Sequence, residues 1–416
     1  MTDTAPRAVP AAAPSPAAPR SVAPPPAPRR GLLVLMAVAT GLSCAGNYFA
    51  QPLLDLITRD LHVGATLAGF IVTASQAGYA LGLLLIVPLG DVLDRRKLAV
   101  GLLGATALFL ALTAAAPNGA LLLTGTVAVA LTAVGAQVVV GYASALVPDE
   151  RRGQAVATVM SGILLGGLLA RTVSGALATL GGWRTVYWVS AVPVAVMAVA
   201  LHRFLPRVAS PARLSYPALL RSSLALLREV PLLRKRSVIS ALSFASYSGT
   251  ITAVTFLLAG PPYHWSEGRI GLVGLLGVIG VATTTFAGKL NDRGWAQHVT
   301  ASGILALGVG WLAMLGGERS LLWLGLGIVV LNAGQQAVLN SSQTVLYRLR
   351  PDARNRLNSV FMTAFFVGGA SGSALTTVVW ACAGWSGVCL LGTGLAAAAL
   401  AAWGLERLGA ARGAGR

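Results

Sequence analysis

From Gly31 to about residue 404 the chain reads as long apolar runs separated by brief polar interruptions. The runs are about 18–27 residues each, the length of a helix that crosses a hydrocarbon core. Their limits in the first half are residues 31–54, 67–89, 98–116, 119–144, 154–180 and 183–204. In the second half they are 237–259, 268–290, 299–316, 320–345, 356–380 and 386–404. The pattern therefore predicts twelve transmembrane helices. The interruptions on one side are very short: Asn118 and Gly181-Gly182 are almost the whole of two of them.

Composition sharpens this picture. Hydrophobic residues make up 55% of the chain and charged residues 11%, well under the share usual in soluble domains. The 49 glycines suit helices that pack without water between them. The net charge of +18 raises the idea of nucleic acid, but its distribution excludes it. All but five of the 31 Lys and Arg fall on alternate loops, the exceptions being Arg59, Arg171, Arg184, Arg269 and Arg319. That asymmetry puts both termini in the cytoplasm and makes anionic lipid the partner of the basic loops. Cys44, Cys382 and Cys389 lie in apolar stretches without metal-like spacing, so they read as small fillers, and neither metal nor cofactor is expected.

The polar segments divide the chain. Residues 1–30 are a Pro- and Ala-rich tail with no means of forming a core. Arg29-Arg30 reads as a charged anchor on an uncleaved first helix. Residues 31–204 and 237–404 form two six-span halves, and residues 405–416 a basic tail. Residues 205–236 are a cytoplasmic linker whose Leu219, Leu220, Leu224, Leu226 and Leu227 make one greasy helical face for the membrane surface.

The halves repeat. Leu89-Gly90-Asp91 is matched by Leu290-Asn291-Asp292, Pro148-Asp149-Glu150-Arg151 by Pro351-Asp352-Ala353-Arg354, and Gly182-Trp183 by Gly384-Trp385, each about 200 residues on. The stretch Val87 to Lys97 and its echo Ala287 to Gly294 resemble the loop between the second and third helices of each half in the major facilitator superfamily. That resemblance covers residues 31 to about 404. It implies an all-α membrane protein, twelve transmembrane helices in two pseudo-symmetric six-helix bundles, acting as a monomer on a small-molecule substrate by alternating access. Leu89, Asp91, Arg95 and Arg96 match the family motif in the first half, and Gly288, Leu290, Asp292 and Arg293 in the second. Val87 and Asp94 stand where the motif has Gly. The resemblance implies a conformational gate at Asp91, Arg95, Arg96, Asp292 and Arg293. In it the Asp91 carboxylate faces the positive N-terminus of the eleventh span near Asn355, an attraction of about 0.3–2 kcal/mol. Family members add an Arg partner on the fourth span, and residues 119–144 contain none.

The fifth span, Gly162 to Gly175, resembles the family's antiporter motif, with Arg171 in the place of its Pro. Gly162, Gly166 and Ala170 share one face and permit close packing. Arg171 lies near mid-depth, where an Arg costs about 2.5–3.5 kcal/mol on insertion scales, so it needs a wet cavity or a polar partner. It is a substrate or counter-ion site, a structural hydrogen-bond hub, or a snorkelling side chain. Uncharged polar residues on other spans predict a lined pathway: Asn47, Tyr48 and Gln51 on the first, Gln76 and Tyr79 on the second, Gln137 on the fourth, Tyr247 on the seventh, and Asn332, Gln335, Gln336 and Asn340 on the tenth. Lipid offers such groups no partners. None of the thirteen Asp and Glu lies at the centre of a span, which leaves Asp55 as the nearest candidate proton site.

A membrane enzyme would need a nucleophile–base pair or a metal set, and no Gly-x-Ser-x-Gly or His-Glu-x-x-His is present. A non-transporting receptor is separated from a transporter by flux. The run Asn47 to Leu54 and the segment Arg350 to Asn358 are similar to bacterial sugar or drug efflux permeases. The resemblance favours proton-coupled export of a small organic solute from the cytoplasmic membrane; an importer or uniporter is the alternative.

Overall fold

A computed structural model describes residues 30–148, 151–206, 215–349 and 354–414. Most of the expected tail, part of the linker and the repeated Asp149-Glu150 and Pro351-Asp352-Ala353 segments lie outside the described residues. Every element among the described residues is helical. In order they are α1 (Arg30–Ala45), α2 (Leu54–Leu61), α3 (Ala65–Leu85), α4 (Arg95–Ala114), α5 (Gly119–Ala133), α6 (Gly135–Ala145), α7 (Arg152–Phe204), α8 (Tyr216–Glu229), α9 (Pro231–Ala259), α10 (Glu267–Val273), α11 (Val278–Asp292), α12 (Ala296–Met314), α13 (Leu321–Leu349) and α14 (Arg354–Ala414).

Nine helical runs among the described residues are long and apolar enough to cross a membrane. The two longest are broken by glycine. Gly182 takes φ +79° inside α7 and Gly384 takes φ +60° inside α14, a left-handed conformation that only glycine adopts cheaply. Each break is followed by a buried tryptophan. Trp183 donates its indole N–H to Asp60 at 2.8 Å and Trp385 donates to the Met314 carbonyl at 2.8 Å. The Trp183 bond first, and Arg184 second, hold the Asp60 carboxyl below the usual carboxylate range. The first expected span is also interrupted: α1 gives way to a 3₁₀ turn, Gln51–Leu53, and then α2. Pro52 in that turn has no N–H to continue the ladder. Each of the two long runs is thus two helical segments joined at a glycine.

Large apolar side chains face outward along the helices, among them Leu180 (80% exposed), Leu322 (79%) and Val199 (70%). A water-soluble surface does not carry so many, whereas lipid accommodates them. Within the first half α1 packs on α7 and α3 on α5; within the second α9 packs on α14 and α12 on α13. The halves meet where α3 lies on α14 and α10 on α7.

The tightest crossings are made by small residues. A Cβ on Gly162 would fall on the Ala37 carbonyl, and one on Gly166 on the Gly41 carbonyl, so α1 and α7 touch backbone to backbone. Gly368 and Gly372 of α14 stand in the same relation to Ala241 and Ala245 of α9. The internal repeat read from short motifs thus recurs as a repeated crossing.

Three boundaries differ from expectation. First, α9 starts at Pro231, inside the expected linker of residues 205–236, and Arg236 is wholly buried. Its terminal nitrogens donate to Thr300 at 2.9 Å, Gln297 at 2.7 Å and Glu406 at 2.6 Å. Second, Glu406, in the expected tail of residues 405–416, packs at the end of α14; a buried Arg needs a carboxylate, and the helix carries one there. Third, α8 turns Leu219 and Leu226 onto α9 and α14, and it is Leu224 that is exposed.

The crossings generate a contrast. Gly166→Ala forces a methyl into the Gly41 backbone and is expected to cost about 1–3 kcal/mol. Gly104→Ala on α4, with open space at its Cβ, is expected to be neutral or stabilising by about 0.4–1 kcal/mol. Thermal unfolding of the two variants in detergent checks the order.

Candidate functional site

Helices α7, α9, α10 and α13, with the 3₁₀ turns after α1 and α10, line a partly open pocket. Both halves of the chain build it. Arg171 comes from α7 and Pro52 from the turn after α1. Tyr247, Thr250, Ile251, Val254 and Thr255 come from α9, Ile328 and Asn332 from α13, and Ile270, Val273, Gly274 and Gly277 from α10 and the 3₁₀ turn that follows it. Glycine shapes this wall: a Cβ on Gly274 would sit 2.9 Å from the Arg171 Cβ and 3.4 Å from its Cδ, so the Arg171 stem occupies the space that a side chain would take.

The Arg171 Nε donates to Gln51 Oε1 at 2.6 Å. Its guanidinium carbon lies 5.0 Å from the centre of the Tyr48 ring, a cation–π contact. The two terminal nitrogens have no partner among the described residues. Opposite, the Tyr247 hydroxyl donates to Asn332 Oδ1 at 2.8 Å, and Asn332 Nδ2 donates to the Ile328 carbonyl at 2.9 Å. The Thr255 hydroxyl donates to the Gln51 carbonyl at 3.0 Å, tying the first half to the second beside the cavity.

Of the residues expected to line a pathway, Arg171, Tyr247 and Asn332 line this cavity, and Tyr48 and Gln51 hold Arg171. The others lie elsewhere. Asn47 accepts from Ser75 through Oδ1 and leaves Nδ2 unpaired. Among the described residues Gln76 is buried with Oε1 unpaired, and Gln335 is buried with neither amide atom paired. Gln336 packs its Cγ where Gly280 has no side chain. Asn340 accepts from Asn291 at 2.9 Å, a contact between α13 and the second-half motif. Tyr79, within hydrogen-bonding reach of Gln137, lies 4.5 Å ring to ring from Phe366.

Tyr79 belongs to an aromatic cluster that the polar pattern did not reveal. Phe244 stacks on Phe365 at 3.9 Å and meets Phe366 edge to face at 5.6 Å. The ring of Tyr247 stacks on Phe244 at 6.2 Å. The signal present in the sequence was the Phe365-Phe366 pair about one turn before Gly368 and Gly369.

The halves also touch at both ends. At the basic-loop end the Ser359 hydroxyl donates to the Leu83 carbonyl at 2.8 Å, and from the linker helix α8 the Tyr216 hydroxyl donates to the Leu85 carbonyl at 2.6 Å. Beside Arg171 the Thr172 hydroxyl donates to the Gly271 carbonyl at 3.1 Å, and farther from the basic loops a Cβ on Gly175 would fall on the Glu267 carbonyl, so α7 and α10 touch there.

The motif residues are unequal. Arg95 pairs with Asp91 at 2.9 Å, donates from Nε to the Gly90 carbonyl at 2.8 Å and reaches the Gly141 carbonyl of α6 at 3.4 Å. The partner of Asp91 is thus an Arg of the motif itself. The 3₁₀ turn carrying Asp91 packs on α14. Asp94, where the motif has Gly, caps α4 by accepting from the Arg96 N–H at 2.8 Å. The Arg96 side chain donates to the His202 carbonyl. In the second half Asp292 is 82% exposed with Arg348 at 3.9 Å, and Arg293 is exposed. Asp55 pairs with Arg59 at 2.6 Å and does not line the cavity. Among the described residues no group of His, Cys, Asp and Glu could hold a metal ion.

Known proteins share this architecture. The family model for the Major Facilitator Superfamily matches residues 36–373. Uncharacterized transporter YgaY of Escherichia coli O157:H7 is 48% identical over 372 residues, covering 89% of this chain and 94% of that protein. A chloramphenicol resistance protein of Streptomyces lividans is 30% identical over 68% of this chain and 72% of its own. The crystal structure of the human organic anion transporter MFSD10 has the same fold, with a TM-score of 0.68 at 19% identity over 90% of this chain and all of that one. With a family model over most of its length, a relative sharing nearly half its residues, and helices arranged in paired crossings around a shared cavity, this chain belongs to the Major Facilitator Superfamily.

Proposed function

We propose that this transporter exports a small organic solute across the cytoplasmic membrane by alternating access through the cavity at Arg171. The observation that carries the reading is the free end of the Arg171 guanidinium at a wall built by both halves. A mid-membrane cation with spare donors is costly unless a bound solute uses it. Contacts between the halves on both sides of the cavity supply the two gates that alternating access requires. The 30% relative named as a chloramphenicol resistance protein favours efflux over uptake. Proton coupling through Asp55 belongs to the same proposal. This carboxylate lies three residues from the cavity-lining Pro52 and pairs with Arg59. Asp91, held by Arg95 against α14, serves as the inner latch. Both termini face the cytoplasm, where the basic loops meet anionic lipid.

Reporter fusions after Arg30, after Leu220 and at Arg416 are expected to score as internal. An external signal at Leu220 would sink the two-half orientation.

Transport is read with everted vesicles and a radiolabelled panel of chloramphenicol, small amphipathic acids and neutral solutes. Arg171→Ala is expected to keep or raise the melting temperature, since a charge in the membrane is gone, and to lose at least about 10-fold in flux. Binding without flux for every member would leave a receptor. A destabilised Ala variant with normal ligand affinity would make Arg171 a structural hub.

Asp91→Asn removes a partly exposed pair of about 0.2–1 kcal/mol, so folding is expected to survive while flux falls at least about 10-fold. Asp292→Asn, at an exposed position, is expected to do less. Flux at equal membrane expression checks both.

A further inference from the structure

The donors and acceptors around the cavity do not balance. Asn332 uses its amide oxygen for Tyr247 and its nitrogen for Ile328, and Thr255 gives its hydroxyl to the carbonyls of Gln51 and Ile251. Two groups able to donate are left without a partner among the described residues. Both terminal nitrogens of Arg171 remain free donors. Thr250, also on the wall, has a buried hydroxyl with no partner, although a helical threonine ordinarily bonds back to the preceding turn.

Charge does not balance either. The ion pairs among the described residues engage Asp55 with Arg59, Asp60 with Arg184, Asp91 with Arg95, Asp292 with Arg348 and Glu406 with Arg236. None reaches Arg171, whose partners are the neutral Gln51 amide and the Tyr48 ring, and no carboxylate lines the cavity. A neutral solute could fill the hydrogen bonds but would leave the cation uncompensated in a low-dielectric site.

The shape of the free edge narrows the chemistry further. With Nε held by Gln51 and one face near Tyr48, the guanidinium offers the paired N–H groups of its far end, the fork that two oxygens of an acid group match. Much of the remaining wall is apolar, from Ile251, Val254, Ile270, Val273 and Ile328. Resting on the transport reading above, we propose that the cargo of this cavity is an amphipathic organic monoanion. Its acid group seats on Arg171 and Thr250, and its apolar body lies on the isoleucine and valine wall. One cation on the wall asks for one negative charge.

The test uses purified full-length protein at neutral pH and two probes of one shape, 2-naphthoate and 2-naphthamide, with binding read by calorimetry. Naphthoate is expected to bind wild type at least about 10-fold more tightly than naphthamide. In Arg171→Gln the two are expected to converge to within about 2-fold, and Arg171→Lys to keep part of the preference, because charge remains while the fork is lost. Thr250→Val is expected to weaken naphthoate several-fold at unchanged melting temperature. Equal binding of the two probes to wild type, a naphthoate preference that survives Arg171→Gln, or no naphthoate binding overturns the proposal. If Arg171→Gln does not fold, unchanged naphthoate affinity in Thr250→Val overturns it. Failure of the transport reading is separately visible. The predicted preference without naphthoate flux in proteoliposomes removes transport and leaves an anion site. Flux of neutral solutes with no preference for the acid leaves transport and removes the anion.

Discussion

Two backbone-to-backbone crossings fix the rest of this structure: α1 on α7 through Gly162 and Gly166, and α9 on α14 through Gly368 and Gly372. In lipid no hydrophobic force drives one helix onto another, so close approach and the dispersion it allows must do so. Each crossing delivers a wall of the cavity. Arg171 follows Gly166 by little more than a turn on α7, and Tyr247 follows Ala245 by two residues on α9. The same contact that holds each half together therefore sets where its polar side chain stands. A methyl at either crossing would move the site as well as loosen the bundle.

Two arginines inside the membrane-spanning helices separate structure from function. Arg236 is wholly buried, and its terminal nitrogens meet Glu406, Gln297 and Thr300, with Trp403 completing the shell by donating to Gln297. Its charge is neutralised within the protein, and it locks the ends of α9, α12 and α14. Arg171 has one neutral hydrogen-bond acceptor, one aromatic face and a free end. The first arrangement is complete without a ligand; the second is not. The inventory of partners tells them apart.

That distinction also marks how far the sequence was legible. Apolar runs, the loop asymmetry and the repeated Leu-x-Asp and Gly-Trp motifs carried the helical architecture and the family, because span length and charge placement depend on the bilayer more than on packing. Arg171 was legible because a charge amid apolar residues needs a reason. Helical spacing grouped Asn332, Gln336 and Asn340 on one face of a single helix. It could not tell that Asn332 would reach the cavity while Asn340 met Asn291, since neighbouring helices occupy different levels of that face. Arg236 and Glu406 were read as linker and tail because their partnership spans 170 residues and no local pattern announces it. The aromatic cluster was silent for the opposite reason: Phe244, Phe365 and Phe366 look like any apolar filling until the fold stacks them.

In the proposed cycle the cavity and its two closures share side chains, and this links binding to movement. Tyr247 bonds Asn332 in the cavity while its ring stacks on Phe244, part of the cluster in which Tyr79 and Phe366 join the two halves. Gln51 holds Arg171 with its side chain while its carbonyl accepts from Thr255 across the halves. Parting α3 from α14 would disturb Tyr247 through the stacked rings, and parting the turn after α1 from α9 would disturb Gln51. A solute on Arg171 therefore acts on groups that belong to both closures. A ligand shifts a conformational equilibrium only through contacts that differ between the states. Here such contacts exist at each end, and the guanidinium held by Gln51 and Tyr48 lies between them.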